Sequence, residues 1–283
     1  MAELARAGRF GKTPVPQEYA VIPPQAPEFR GRKTLVLDLD ETLIHSKFSE
    51  AHLRACRTRG RCDFQMRISV EGRPIQVYVL IRPGVLFFLQ KLASIYELVL
   101  YTASMSIYAN PLVDTLDQDQ LIPMRLYREH CQSFQGSYIK DLSLLGRDMK
   151  DVIIVDNSPN AYYFHNENAV PILSWYDDPD DRCLFEMIPL LEALSQVNDV
   201  RTVIPKFVRK DINLVDFPKA AWVLNEAYRQ MHSGPSGQPS ESSEQQADIA
   251  KGSKKTLDRA SNSNGRGASG TKQPSTGVVV VQQ

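Results

Sequence analysis

No apolar run in this chain approaches the roughly 18 residues needed to cross a bilayer, so no membrane span is expected. The opening segment, MAELARAGRFGKTPVPQEYA, lacks the apolar stretch of roughly 7–15 residues that marks a signal peptide. Cysteine is scarce: Cys56, Cys62, Cys131 and Cys183 are the only four, and none forms a CxxC pair. That excludes a disulfide scaffold, argues against a zinc site and fits free thiols in a reducing, intracellular compartment. Neither charge is in excess, since 33 Lys+Arg balance 33 Asp+Glu. Bulk charge therefore gives no reason to expect nucleic acid or a membrane surface as partner. No internal repeat, collagen period or coiled-coil heptad is visible. What is there is an ordinary globular composition, 42% hydrophobic over 283 residues, enough for one large domain.

Residues 1–32 hold five prolines between Pro14 and Pro27 and no sustained periodicity. They read as an irregular arm from which Ile22 or Phe29 could dock. Residues 33–207 alternate apolar runs with helical spacings. Thr34–Leu39, Glu97–Tyr101, Asp151–Val155 and Ala169–Leu173 read as strands, and Pro83–Tyr96, Met105–Leu116 and Arg182–Leu194 as helices. Phe64–Val70 and Pro74–Leu80 flank Glu71-Gly72, a hairpin signal. Buried strands separated by helices predict an α/β domain, a parallel sheet with helices on both faces and a small β-hairpin insert. Residues 208–232 read as a helical extension whose Trp222 and Tyr228 are expected to dock on the domain. Residues 233–283 are dominated through Ser275 by Ser, Gly, Gln and Asn and are expected to be disordered. The terminal GVVVVQQ is β-prone but has no partner segment nearby in sequence.

Asp38 and Asp40 close the first strand in LVLDLDETL, Thr102 follows ELVLY, and Asp156-Asn157 follow DVIIV. Lys140, in YIKDLSLLG, lies just ahead of that last strand. Ligand sites in open α/β sheets form outside the carboxyl ends of strands, so these positions converge on one rim. Two carboxylates and Asn157 are hard oxygen donors that suit Mg²⁺. With Lys140, such an ion would offset the charge of a phosphate beside Asp38, and Thr102 offers a hydroxyl to phosphate oxygens. Asp40 is placed to serve as general acid and then as base.

DLDETLIHS (38–46), VYVLIRPG (77–84), LVLYTAS (98–104), YIKDLSLLGRD (138–148), VDNSPNAYYFH (155–165) and AVPILSWYDD (169–178) occur in order. Together they resemble the haloacid-dehalogenase-like phosphatases, and more closely the small phosphatases of the RNA polymerase II C-terminal domain (FCP1-homology, NLI-interacting factor-like). The resemblance implies a Rossmann-like sheet without a large cap domain. It implies a Mg²⁺-dependent protein-serine/threonine phosphatase in which Asp38 is phosphorylated as nucleophile and Asp40 is the acid/base. Thr102 and Lys140 resemble the phosphate-binding pair. The metal set it implies is Asp38, the main chain of Asp40 and Asn157, with Asp156 a ligand or a partner of one. The substrate groove would fall on Phe48, Ile68, Val70, Val77 and Met105, residue types also ordinary in a core. A phosphorylated protein is the implied partner, and the resemblance favours a nuclear over a cytoplasmic setting; a monomer is expected.

His45 reads as structural, since the acid/base role is filled. The acidic loop Asp177–Asp181 reads as a helix cap rather than a calcium site. Lys47, Arg54, Arg57, Arg59, Arg61 and Arg67 stand against only Glu50 and Asp63. That cluster reads equally well as a solvated loop or as an electropositive flank for acidic or multiply phosphorylated substrates. Two rival functions remain. Non-catalytic binding modules of this kind generally lose the paired aspartates, which are present here. Enzymes acting on small phosphorylated metabolites generally carry a large cap, for which the inserts here are too short.

Overall fold

Lys33–Leu37 (β1) is buried at every position, as a central strand covered on both faces must be. The computed structural model describes residues 14–58, 60–209, 211, 213–232 and 278–280. After β1 comes an insert: Ile44–Lys47 (β2), the short helix Glu50–Arg54 (α1), Phe64–Val70 (β3) and Arg73–Ile81 (β4). β3 and β4 form the expected hairpin, with Glu71 and Gly72 both at positive φ in its turn, and β2 pairs antiparallel with β4. The chain then returns to the main sheet through Val85–Ala93 (α2), Tyr96–Tyr101 (β5), Ser106–Leu116 (α3) and Met124–Leu126 (β6). A second small hairpin, Gln132–Phe134 (β7) and Ser137–Ile139 (β8), precedes Val152–Asp156 (β9) and Ala169–Pro171 (β10). The helix Cys183–Leu194 (α4) follows, then a short ribbon of Val208–Arg209 (β11) and Leu214–Val215 (β12), then the helix Phe217–His232 (α5).

The main sheet is parallel throughout, in the order β10-β9-β1-β5-β6. Leu37 lies level with Leu100 on one side and Val155 on the other. The residues that follow these strands therefore emerge side by side. Alternate residues feed two cores. Leu35, Leu37, Leu98, Leu100, Ile153 and Val155 face the apolar stripes of α2, α3, α4 and α5. Val36, Val99, Tyr101 and Ile154 face the other way, toward Ile22, Leu142, Leu145, Met149 and Tyr162. The helical cover of this second face is short: 3-10 turns at Leu142–Leu145 and Met149–Asp151 together with the N-terminal arm, rather than full α-helices.

The arm is irregular apart from two 3-10 turns, and Ile22 docks while Phe29 is only half buried. Val15 and Val21 donate to the carbonyls of Ser143 and Leu144. Gly146 (φ +67°) permits this approach, because a Cβ there would meet Ala20 Cβ at 2.7 Å. α5 corrects one expectation. Ala220 and Val223 dock it, whereas Trp222 is 67% exposed and Tyr228 is also exposed, because the docked stripe is the one bearing the smaller residues. The expected disordered tail lies outside the described residues except for Val278–Val280 (β13). These pair in parallel with the open edge of β3, so the valine run does find a partner, one remote in sequence. No described helix is long and apolar enough to cross a membrane. All four cysteines are free.

One buried ion pair ties the arm to the sheet. Arg147 makes a two-pronged contact with Glu97 at 2.9 and 2.8 Å and donates to Pro23 O at 2.9 Å; Thr34 Oγ1 donates to Glu97 at 2.8 Å. Burial alone would raise the Glu97 pKa, but the bonds from Arg147 and Thr34 outweigh it and hold the carboxyl below its usual value of 4.5. A depressed carboxylate adds stability that is complete above its unfolded pKa and is lost as pH falls through the folded one. Glu97→Gln should cost about 3–5 kcal/mol at pH 7, since it strands Arg147. In urea titrations the gap to the wild type should narrow below about pH 4; a gap that stayed constant with pH would contradict this account of the pair.

Candidate active site

β1 runs into Asp38-Leu39-Asp40 and a tight turn in which Glu41 takes φ +59°. The turn is held by Glu41 N donating to Ile44 O (2.7 Å) and Trp175 N donating to Glu41 O (2.8 Å). Asp38 N donates to Val155 O at 3.1 Å, fixing the first carboxylate beside the end of β9. On the other flank Thr102 N donates to Leu126 O at 2.9 Å, and Thr102 Oγ1 accepts from Ser104 N at 3.0 Å. Lys140 leaves β8 with its N–H on Ala161 O at 2.7 Å and its side chain wholly buried.

Lys140 Nζ lies 2.6 Å from Asp38 Oδ1 and 2.5 Å from Asp156 Oδ2. Burial would lower the lysine pKa, but Asp156 and Asp38 outweigh it and hold the ammonium well above its usual range. Burial, with Asp38 close by, pushes Asp156 up against the pull of Lys140. Asp40 is held differently. Tyr108 Oη donates to its Oδ1 at 2.6 Å and Ser104 Oγ to its Oδ2 at 2.7 Å, while Thr102 Oγ1 lies 3.5 Å away. Burial outweighs these bonds and pushes Asp40 up to about 6, so it carries a proton over part of the range near neutrality. Asn157 Oδ1 accepts from Thr42 Oγ1 at 3.2 Å, and its Nδ2 donates to Ser174 Oγ at 2.8 Å.

Asp38, Asp40, Thr102, Lys140, Asp156 and Asn157 thus all line one open pocket of about 480 Å³. A depression of similar size, about 500 Å³, lies between α2 and the end of α3. Its Asp63 and Asp117 already accept backbone N–H bonds from Ile81, Leu121 and Ile122, and it holds no comparable convergence. Among the described residues no group of three or more His, Cys, Asp or Glu stands in metal-holding geometry. The donors of the pocket still fit Mg²⁺, which binds through one or two carboxylates, further oxygens and retained waters.

The groove residues divide. Phe48 and Met105 are exposed, with the Phe48 ring 6.2 Å from that of Tyr108. Val70 is half buried, and Ile68, largely buried, lines a neighbouring depression with Ile107, Pro111 and Tyr127. Val77 has no exposed surface and belongs to the core beneath, as its inward position on β4 requires. His45 Nδ1 is 2.9 Å from Glu41 Oε1, and its ring packs edge-on to Tyr176. Asp181 Oδ1 accepts from Cys183 N at the start of α4 and pairs with buried Arg82, while Arg57 reaches Asp178 at 2.8 Å, so part of the basic cluster is already paired. Arg59 lies outside the described residues.

Sequence reasoning did not single out Ser104 and Arg128, which line the pocket, or Tyr108, which donates to Asp40 from behind it. Ser104 stands inside a quoted motif, and Tyr108 sits at ordinary core spacing on α3. Arg128 joins the pocket from a 3-10 turn with no local signal, its Nε donating to Ala103 O at 2.7 Å.

A family model described as NLI interacting factor-like phosphatase matches residues 33–201, more than half of the chain. The chain belongs to this family. Among curated members, it is 50% identical over 187 residues to a "Probable C-terminal domain small phosphatase" of Dictyostelium discoideum, covering 66% of this chain and 58% of that one. It is 45% identical to "Phosphatase PSR1" of Saccharomyces cerevisiae, covering 65% and 42%. It is 46% identical to the human "Carboxy-terminal domain RNA polymerase II polypeptide A small phosphatase 2", covering 64% of each. The matched segment thus spans between 42% and 64% of the length of these members of the family.

Lys140→Met should be strongly destabilising, by about 3–5 kcal/mol, because it leaves two buried carboxylates without their counter-charge. Urea denaturation at pH 7 measures this, and a loss below 1 kcal/mol would show that the lysine is not holding the pocket together.

Proposed function

We propose that the chain is a Mg²⁺-dependent protein phosphatase that hydrolyses phosphoserine or phosphothreonine through a phosphorylated Asp38. The observation that carries this reading is the buried ammonium of Lys140 between Asp38 and Asp156, with a second, protonatable carboxyl on Asp40 in the same open pocket. Asp38, the main-chain carbonyl of Asp40 and Asn157 would hold the metal, with Asp156 beside them. When bound, the ion supplies positive charge that lets a phosphate dianion approach a carboxylate.

The remaining work falls to side chains. Lys140 offsets the charge of Asp38 and of the incoming phosphate, and the Thr102 hydroxyl is placed to donate to a phosphate oxygen. Asp38 attacks phosphorus, forming the Asp38–phosphorus bond as the bond to the seryl or threonyl oxygen breaks. Asp40, oriented by Tyr108 and Ser104, gives its proton to that departing oxygen and takes one from the water that then releases phosphate. The open pocket and the absence of a large cap among the described residues favour a protein surface over a small metabolite. Relatives named for the C-terminal domain of RNA polymerase II make that domain, phosphorylated, the first substrate to test.

Release of phosphate from a phosphoserine peptide should require Mg²⁺ and stop with chelator. Asp38→Asn should abolish it, since an amide is a poor nucleophile. Full turnover in chelator, or by Asp38→Asn, would refute the mechanism. Separately, Phe48→Ala should lower peptide kcat/KM by about 10–200-fold, the range for one lost apolar contact. Turnover of para-nitrophenyl phosphate, which reaches only the phosphate cradle, should fall far less. Equal losses would show that Phe48 supports the fold rather than the substrate.

A further inference from the structure

On the β8 side of the pocket the structure exposes aromatic rings that the core does not use. β7 and β8 contribute three residues each, turned through Gln135 (φ 50°) and Gly136 (φ 80°). A two-stranded hairpin so short has little stability of its own. Phe134 at its tip is 37% exposed, Tyr138 43% and Tyr163 52%. The Phe134 ring lies 5.7 Å from Tyr163 and 5.4 Å from Phe164, and those two rings are 5.8 Å apart. These are the spacings of mutually packed aromatic rings. The Arg128 guanidinium covers one face of Tyr138 at 4.8 Å. Rings braced in this way lose little conformational entropy when something lies against them.

This platform is continuous with the pocket. Ser137, Tyr138 and Arg128 line it together with Asp38, Asp40 and Lys140. Phe134 is the cross-strand partner of Ser137, one strand spacing of about 5 Å away. Phe48 and Met105, by contrast, flank the pocket from the insert and the head of α3. A peptide whose phosphoserine enters the pocket has to leave it in two directions. Extended at about 3.3 Å per residue, it brings a side chain over the rings within two or three residues.

We propose that Phe134 and Tyr163, next to the pocket through Ser137, form a second docking surface for the phosphoprotein substrate. It takes an apolar ring side chain, aromatic or prolyl, about two or three residues from the phosphorylated residue on the side away from Phe48. The assignment rests on the protein-phosphatase reading and adds to it a requirement on the second flank of the substrate. The occupant is a ring because the exposed faces are apolar, rigid and already spaced for aromatic packing.

The test uses the full chain and singly phosphorylated peptides carrying Phe, Pro or Ala at each of four positions on either side of the phosphoserine. Wild type, Phe134→Ser/Tyr163→Ser and Phe134→Tyr are compared by kcat/KM relative to para-nitrophenyl phosphate and by fluorescence anisotropy of the labelled peptides. Wild type should prefer a ring over Ala on one flank by about 3- to 10-fold, the range for one aromatic pair. The double variant should lose that preference and keep the one that depends on Phe48, and Phe134→Tyr should retain both. No ring preference in wild type on the flank away from Phe48, or one on that flank that survives the double substitution, would overturn the proposal. So would equal losses on peptides and para-nitrophenyl phosphate, or a dimer that the double substitution converts to monomer. If neither peptide nor para-nitrophenyl phosphate is turned over, the phosphatase reading fails. The anisotropy then decides the surface alone, by whether the ring preference is present and lost with the rings.

Discussion

A single buried ammonium sets the terms for the rest of the pocket. Lys140 is the charge that allows Asp38 and Asp156 to stand within hydrogen-bond reach of one group at the ends of adjacent strands. Two carboxylates in a dry site repel each other and favour protonation; one lysine between them offsets most of that cost. The lysine can be there only because its own segment is fixed. Its N–H is held by Ala161, and the 3-10 turn that follows is capped by Asp141, whose carboxylate also meets the buried ring of His165. The Lys140 position is thus a consequence of how the second face of the sheet is covered.

That cover links distant parts of the chain. Leu142 and Leu145, just after Lys140, pack with Ile22 of the N-terminal arm under the same face of the sheet. Arg147, a few residues on, grips both Glu97 at the start of β5 and the carbonyl of Pro23. The arm therefore belongs to the support of the Lys140 side of the pocket. The opposite side is built from the insert and α3, where Tyr108 joins Asp40 to Ser46. Asp40 and Asp38 stand two residues apart yet answer to different environments: one is held by neutral hydroxyls, the other by a cation. On the proposed reading, that difference separates a proton donor from a nucleophile.

Much of this was legible before any coordinates. Apolar runs ending in Asp38, Thr102 and Asp156 mark the central strands and the rim together, since a parallel sheet buries its strands and opens only at their ends. Glu71-Gly72 gave the insert hairpin. The rest was not legible for identifiable reasons. Three-residue strands such as Met124–Leu126 and Gln132–Phe134 are too short to show a period. Tyr108 was not singled out, because its ring packs in the core and only its hydroxyl reaches Asp40. Val77 looked like groove because an apolar strand residue carries no mark of which layer it faces. Trp222 looked like a docking residue because size favours burial, but Ala220 and Val223 occupy the face that meets the domain.

The central claim is that Asp38 itself accepts the phosphoryl group, and chemical trapping tests it most directly. Incubating the protein with Mg²⁺ and a phosphoserine peptide, then reducing with borohydride, converts an acyl phosphate to an alcohol. The account predicts homoserine at position 38 in the digested protein, dependent on the phosphopeptide and absent when Mg²⁺ is withheld. Turnover with position 38 unmodified, or homoserine at position 40 or 156 instead, would contradict it.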